Sequence, residues 1–506
     1  MNKNKEIKLG AILSYLIIGL NMIIGVLYTP ILTSKLGQSE YGLYSLVSSI
    51  ISYLTVLDFG FGNAIIIYTS KYIANNEKEK EEKLHGMFFA IYCVIGVIAG
   101  IIGLGLMFNI KLLFGTTMTN TEVEKAKILM MILTANLVVT FPLSIFGSII
   151  TAYEKFIFAK LLNLVRTILN PVIMLLLLNL GYKSIALVIL ITVLNITTLL
   201  LNTIYCFGKL KIKLKFGKLD TVLLKTIMTY SVWIFLNSIM DKINWSIDQF
   251  TLGIVSGTVA VAIYSVAGQL SQLYLNFSTA ISGVLLPKVA QMEAKQASDK
   301  EFSDIFIKTG RIQYIIMALI MSGFILYGRE FINIVWVGSE YDNAYIIALF
   351  LMIPTTIPLI QNIGLNIIQA KNLYKYRVIV LFVFSVINLG ISIILAKLMG
   401  GVGAAIGTSV SILMGQIIYM NIFYYKKVHI DIPEFWKQIL KMTIPITVAC
   451  FIAILIKKVI PVNNTLMVII NILIYLIIYV VMIYKFAMNN DERNIVLKSL
   501  KKIIKQ

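Results

Sequence analysis

Apolar residues in this chain run unbroken for longer than a water-soluble fold uses them. Between Leu9 and Met488, fourteen stretches of about 18 to 26 mostly apolar residues alternate with polar connections. Each can cross about 30 Å of hydrocarbon as a helix, so the pattern predicts about fourteen transmembrane helices. Lys3, Lys5 and Lys8 precede the first stretch against a single Glu6, which holds the N-terminus on the cytoplasmic side. An even number of spans returns the C-terminus to the same side. That first stretch, Leu9 to Thr33, is too long for a secretory signal and has no small-residue cleavage site after it, so it reads as a retained helix. About 33 of the 44 basic residues then fall in the termini and cytoplasmic loops, about nine in outer loops and two within spans. An added or missing span would scramble that division.

Composition agrees. Hydrophobic residues make up 58% and charged residues 13%, whereas soluble chains carry about 25% charged residues. No connection is long enough for a soluble domain of about 100 residues. The net charge of +20 raises nucleic acid as a partner, but the Lys and Arg residues are spread over loops with no aromatic-interleaved patch, so none is expected. The inner connections, Tyr72 to His85, the run Lys209, Lys211, Lys213, Lys215 and Lys218, and Pro433 to Lys441, read as lying on anionic membrane lipids. Cys93, Cys206 and Cys450 are far apart in apolar segments, which suggests neither disulfide nor zinc. His85 and His429 lie apart in loops, and nucleophile-elbow, phosphate-loop and metalloprotease motifs are missing. The expectation is therefore no enzyme, no metal and no cofactor, with any transport driven by an ion gradient, the membrane potential or the substrate's own gradient.

The chain also repeats. Leu36 to Ser45 resembles Ser256 to Ser265, with Gly37, Tyr44 and Ser45 recurring as Gly257, Tyr264 and Ser265. A weaker echo links Gly181 to Leu187 with Gly400 to Ile406 at nearly the same offset of about 220 residues. That offset equals six spans, so the repeats share one orientation. The expected organisation is an N-terminal lobe over residues 1–218 (helices 1–6), a C-terminal lobe over 219–430 (helices 7–12), and helices 13–14 with a basic cytoplasmic tail over 431–506. Two pseudo-symmetric six-helix lobes would enclose a central cavity.

Polar residues inside spans mark what such a cavity would do, because a charge at the bilayer centre costs about 2.5 to 3.5 kcal/mol. Asn237, Asp241, Asn244 and Asp248 in the seventh span recur at helical spacing and predict one polar stripe, with Lys242 beside it. Gln269 and Gln272 continue the polar lining into the eighth span. Asp58, in Leu57-Asp58-Phe59-Gly60-Phe61-Gly62, lies where glycines allow a local break, and Arg166 in the fifth span either pairs with Asp58 or meets a phosphate. Asn362 follows Pro354 and Pro358, two prolines expected to form a hinge in the tenth span.

With these residues in hand, the chain resembles the multidrug/oligosaccharidyl-lipid/polysaccharide exporter superfamily, and within it the polysaccharide and O-antigen flippases. Lys35 to Tyr44, Leu57 to Gly62, Asp248 to Gly253 and Ile263-Tyr264-Ser265 carry the resemblance. It implies a bacterial plasma (inner) membrane location and movement of an undecaprenyl-diphosphate-linked oligosaccharide from the cytoplasmic to the outer leaflet by alternating access. It further implies contact with polysaccharide-assembly enzymes. A cation-coupled multidrug exporter of the same superfamily, with a proton or sodium ion bound at Asp241 or Asp248, is the alternative. A membrane-embedded glycan polymerase or acyltransferase is the remote one.

Overall fold

A computed structural model describes residues 3–217 and 220–494, and contains helices, turns and no strand among them. Twelve of these helices are long and apolar enough to cross a membrane, and the pair Thr221–Thr229 and Ile234–Val255, bent by 45°, makes thirteen. One of the twelve, Tyr374–Lys426, has 53 residues and doubles back at Gly400, whose φ of 59° only glycine adopts readily. The Ser392 hydroxyl donates to the Ala404 carbonyl at 3.2 Å and the Ser411 hydroxyl to Phe384 at 3.0 Å, so the two halves are antiparallel neighbours. Divided there, the described residues supply the fourteen spans that the apolar pattern predicts.

The chain separates into two compact units, Met1–Ser265 and Val266–Gln506. In the first, the third span (Lys78–Phe108) and the fourth (Asn120–Ala152) pack through a stripe of Gly96, Gly100 and Gly103. A Cβ at Gly96 would stand 2.9 Å from the Val138 carbonyl, the group that Pro142 leaves without its helical donor. Small residues allow such close approach in lipid, where dispersion replaces the hydrophobic effect as the attraction between helices. The fourth span opens with Thr119 and Glu122 capping each other's backbone. Gly37 and Gly257, matched in the sequence repeat, both hold positive φ, at 76° and 78°, immediately before a helix.

In the second unit, the ninth span (Asp299–Trp336) packs on the thirteenth (Ile432–Val459) and fourteenth (Thr465–Ala487). Hydroxyls cross these contacts: Tyr314 meets Thr443 at 2.7 Å, Tyr479 donates to the Ile315 carbonyl at 2.8 Å, and Ser322 meets Tyr475. At one end of the ninth span Arg311 forms a forked pair with Glu492, Nε to Oε1 at 2.7 Å and Nη2 to Oε2 at 2.8 Å.

Candidate functional site

The second span (Gln38–Ala74) is interrupted where Asp58 lies. Thr55–Asp58 tighten into a 3₁₀ turn, Phe59 and Gly60 adopt left-handed φ of 53° and 72°, and the helix restarts at Phe61. A restarted helix exposes unpaired amides and a positive dipole end. The Asp58 carboxylate answers both: it faces the Gly60 and Gly62 amides and accepts the Tyr92 hydroxyl at 2.6 Å. The same break packs on the seventh span, with Phe59 stacked on Phe235 at 4.5 Å between ring centres.

In the seventh span, Asn237 donates to Asp241 at 3.0 Å, and Lys242 lies within reach of the Asp241 charge. The single stripe through Asp248 does not form. The helix stops at Trp245 and restarts at Ile247, because Ser246 (φ −127°, ψ −22°) interrupts the 100° progression that would have aligned all four residues. Asp241 is exposed, whereas Asp248 is 1% exposed and accepts the Tyr264 hydroxyl. The Asn244 side chain lies outside the described residues.

Arg166, near the middle of the fifth span (Phe156–Asn179), is half-buried and donates to Asn195 Oδ1 at 3.1 Å. Asn195 is held in turn: its amide nitrogen donates to Asn136 Oδ1 at 2.9 Å and to Thr140 Oγ1 at 2.8 Å. Asp58 and Arg166 are therefore not brought together, since each has partners of its own. Among the described residues Arg166 forms no ion pair.

A sequence profile of the family described as polysaccharide biosynthesis protein matches residues 7–293, more than half of the chain. The chain belongs to that family. The polysaccharide biosynthesis protein is also similar in fold to a structure titled lipid II flippase MurJ, inward closed conformation, at 18% identity and a TM-score of 0.68, over 94% of this chain and 97% of that one. A second likeness is to an inward-facing multidrug resistance MATE family transporter of the MOP superfamily, at 15% identity and a TM-score of 0.57, over 83% and 95%. No curated protein matches the sequence. The superfamily that the residue motifs suggest is the one to which these structures belong.

Other candidates in this polysaccharide biosynthesis protein lie in the second unit. Gln272 is exposed and donates to Asn276 at 3.3 Å, and Gln269 is half-buried. Asn362 donates to Ser278 at 3.3 Å and Ser282 at 3.0 Å, so it ties the eighth and tenth spans together. The tenth span runs through both Pro354 and Pro358 and ends at Ile360, with a new helix from Ile363. Its interruption thus falls just beyond the prolines. The Phe350 carbonyl, deprived of a donor by Pro354, receives the Ser409 hydroxyl at 2.5 Å.

Tyr92, Asn136, Thr140 and Asn195 were not apparent from sequence as site residues. Asn136 and Thr140 are one turn apart, and Asn195 stands alone in an apolar run; such a pattern is equally that of ordinary interhelix adhesion.

Proposed function

We propose that the protein is a transporter that flips an undecaprenyl-diphosphate-linked oligosaccharide, a repeat unit of a polysaccharide, capsule or O-antigen, from the cytoplasmic to the outer leaflet by alternating access. It would change no covalent bond. The observation that carries this reading is Arg166, a guanidinium within a span whose sole described partner is a neutral amide. Placing that charge at such depth costs about 2.5 to 3.5 kcal/mol, and a diphosphate passing through would offset it with charge-assisted, forked hydrogen bonds. Half-helix starts, which attract anions in other transporters, are less available here, because Asp58 and Asp248 already sit at two of them. Family membership and a fold shared with a protein titled as a lipid II flippase support the reading.

Cells depleted of the protein should retain lipid-linked glycan in the cytoplasmic leaflet, and Arg166→Ala should reproduce that retention at normal protein abundance. Unchanged leaflet distribution on depletion defeats the proposal. A second reading, ion-coupled export of cationic drugs, draws on the exposed Asp241 beside Asn237 and on the fold shared with the multidrug transporter. It requires that depletion alter drug susceptibility, and that Asp241→Asn copy the effect.

A further inference from the structure

The hydrogen bonds behind Arg166 all run in one direction. Thr140 donates its hydroxyl proton to the Asn136 carbonyl at 2.7 Å, which leaves Oγ1 as an acceptor. Asn195 spends its amide nitrogen on that oxygen and on Asn136 Oδ1, so its own oxygen is turned towards the guanidinium. Three spans thereby present Arg166 with a single acceptor whose orientation is fixed. A guanidinium carries five N–H donors in a rigid plane. One is engaged by Asn195, and the carboxylates of this unit's spans are engaged elsewhere: Asp58 with Tyr92, Asp248 with Tyr264, Asp241 with Asn237, and Glu40 with Lys125 and Ser184. Flanking Arg166 on its own helix, Val165 and Leu169 are 51% and 40% exposed, so the cation stands at the edge of an apolar surface.

We propose that Asn136, Thr140 and Asn195 are positioning residues that hold Arg166 as a hook for a phosphate-type anion attached to a lipid. The inference rests on the flippase reading for its physiological ligand, but the hook itself can be measured without transport. Attachment to a lipid follows from the surroundings: an anion carrying an apolar chain covers Val165 and Leu169 while its head meets the free edge of the guanidinium. A carboxylate in place of the Asn195 amide would supply the missing negative charge from within the protein and occupy the fork.

The experiment uses the purified full-length chain in neutral detergent at low salt, with farnesyl diphosphate, farnesol and inorganic pyrophosphate as probes. Asn195→Asp should bind farnesyl diphosphate at least tenfold more weakly than the parent, bind farnesol equally well, and melt no lower than the parent. Thr140→Val, a milder change that frees the Asn195 amide to turn, should weaken farnesyl diphosphate about threefold, and Arg166→Lys should weaken it further. A network with a merely structural role would lower melting temperature and affinity together. Pyrophosphate competing only weakly with farnesyl diphosphate supports the lipid-borne source, whereas equal competition keeps the hook and assigns it to free phosphate. The proposal is overturned if Asn195→Asp or Thr140→Val binds farnesyl diphosphate as the parent does, or loses farnesol in parallel. Should the hook behave as expected while depletion leaves glycan lipids evenly distributed, the flippase reading fails and the hook stands. Normal flipping by Asn195→Asp in cells would remove the hook and leave the flippase reading intact.

Discussion

Gly42 offers the sharpest test of how the outer end of the first unit is closed. It lies in the second span against the first turn of the eighth, and a Cβ there would come 1.8 Å from the Thr258 carbonyl oxygen and 2.6 Å from its carbon. Ordinary contact begins at 3.4 Å, so Gly42→Ala must part the two spans by roughly 1.5 Å. The obstacle is backbone, which no rotamer change can relieve. Parting also pulls on Glu122, which accepts the Ser39 hydroxyl at 2.6 Å and the Thr258 hydroxyl at 2.7 Å, and on the 2.7 Å bond from Thr117 to the Gly253 carbonyl. Overpacking costs about 1 to 3 kcal/mol and a weakened hydrogen bond about 1 kcal/mol, so the closed arrangement loses about 2 to 4 kcal/mol. Even the lower figure shifts a two-state equilibrium roughly thirtyfold. The assay is labelling of Val261→Cys, buried at 0% exposure, by a membrane-impermeant maleimide in a background lacking Cys93, Cys206 and Cys450. Gly42→Ala should label far faster than its parent. Gly105→Ala, where nothing lies within 4 Å of the added carbon, should label at the parental rate. Equal labelling of Gly42→Ala and its parent, with unchanged melting, would refute the idea that this approach holds the outer end shut.

Two further outcomes follow from buried polar contacts. Tyr92→Phe removes the hydroxyl that Asp58 accepts at 2.6 Å, and should cost about 1.5 to 3 kcal/mol by thermal unfolding in detergent, because a charge-assisted bond is lost where water is scarce. Glu492→Gln leaves Arg311, whose side chain is 9% exposed, without its counter-charge and should cost about 3 to 5 kcal/mol, while the double replacement Arg311→Met with Glu492→Leu should recover most of that loss. A double variant no more stable than the single one would mean that the pair's value lies in something other than charge balance.

Some of the site could be read from residue order. Asp58 followed by Gly60 and Gly62 pointed to a broken helix, and the break is there with the carboxylate at its restart. Gly37 and Gly257, matched by the repeat, share a backbone conformation that side chains disfavour, so the same residue type recurs where the same turn is made. Helical spacing misled in the seventh span, because a count at 100° per residue assumes an unbroken helix, and Ser246 breaks it between Asp241 and Asp248. The tenth span differed in the other direction: two prolines did not interrupt it, since the carbonyl freed by Pro354 found the Ser409 hydroxyl from a distant part of the chain.

Membrane-crossing segments, their number and the uneven distribution of Lys and Arg between their ends depend on the transfer of each residue between water and hydrocarbon. That transfer is a property of the side chain and its immediate neighbours, so the sequence alone determined it. Which buried polar groups meet depends on how helices far apart in the chain are rotated and how closely they approach. Arg166 finding Asn195 instead of Asp58, and Asp248 turning to Tyr264 away from Asp241, were therefore decided only by tertiary packing. In hydrocarbon each polar group takes the partner that geometry brings within about 3 Å, and the order of residues does not specify that geometry locally.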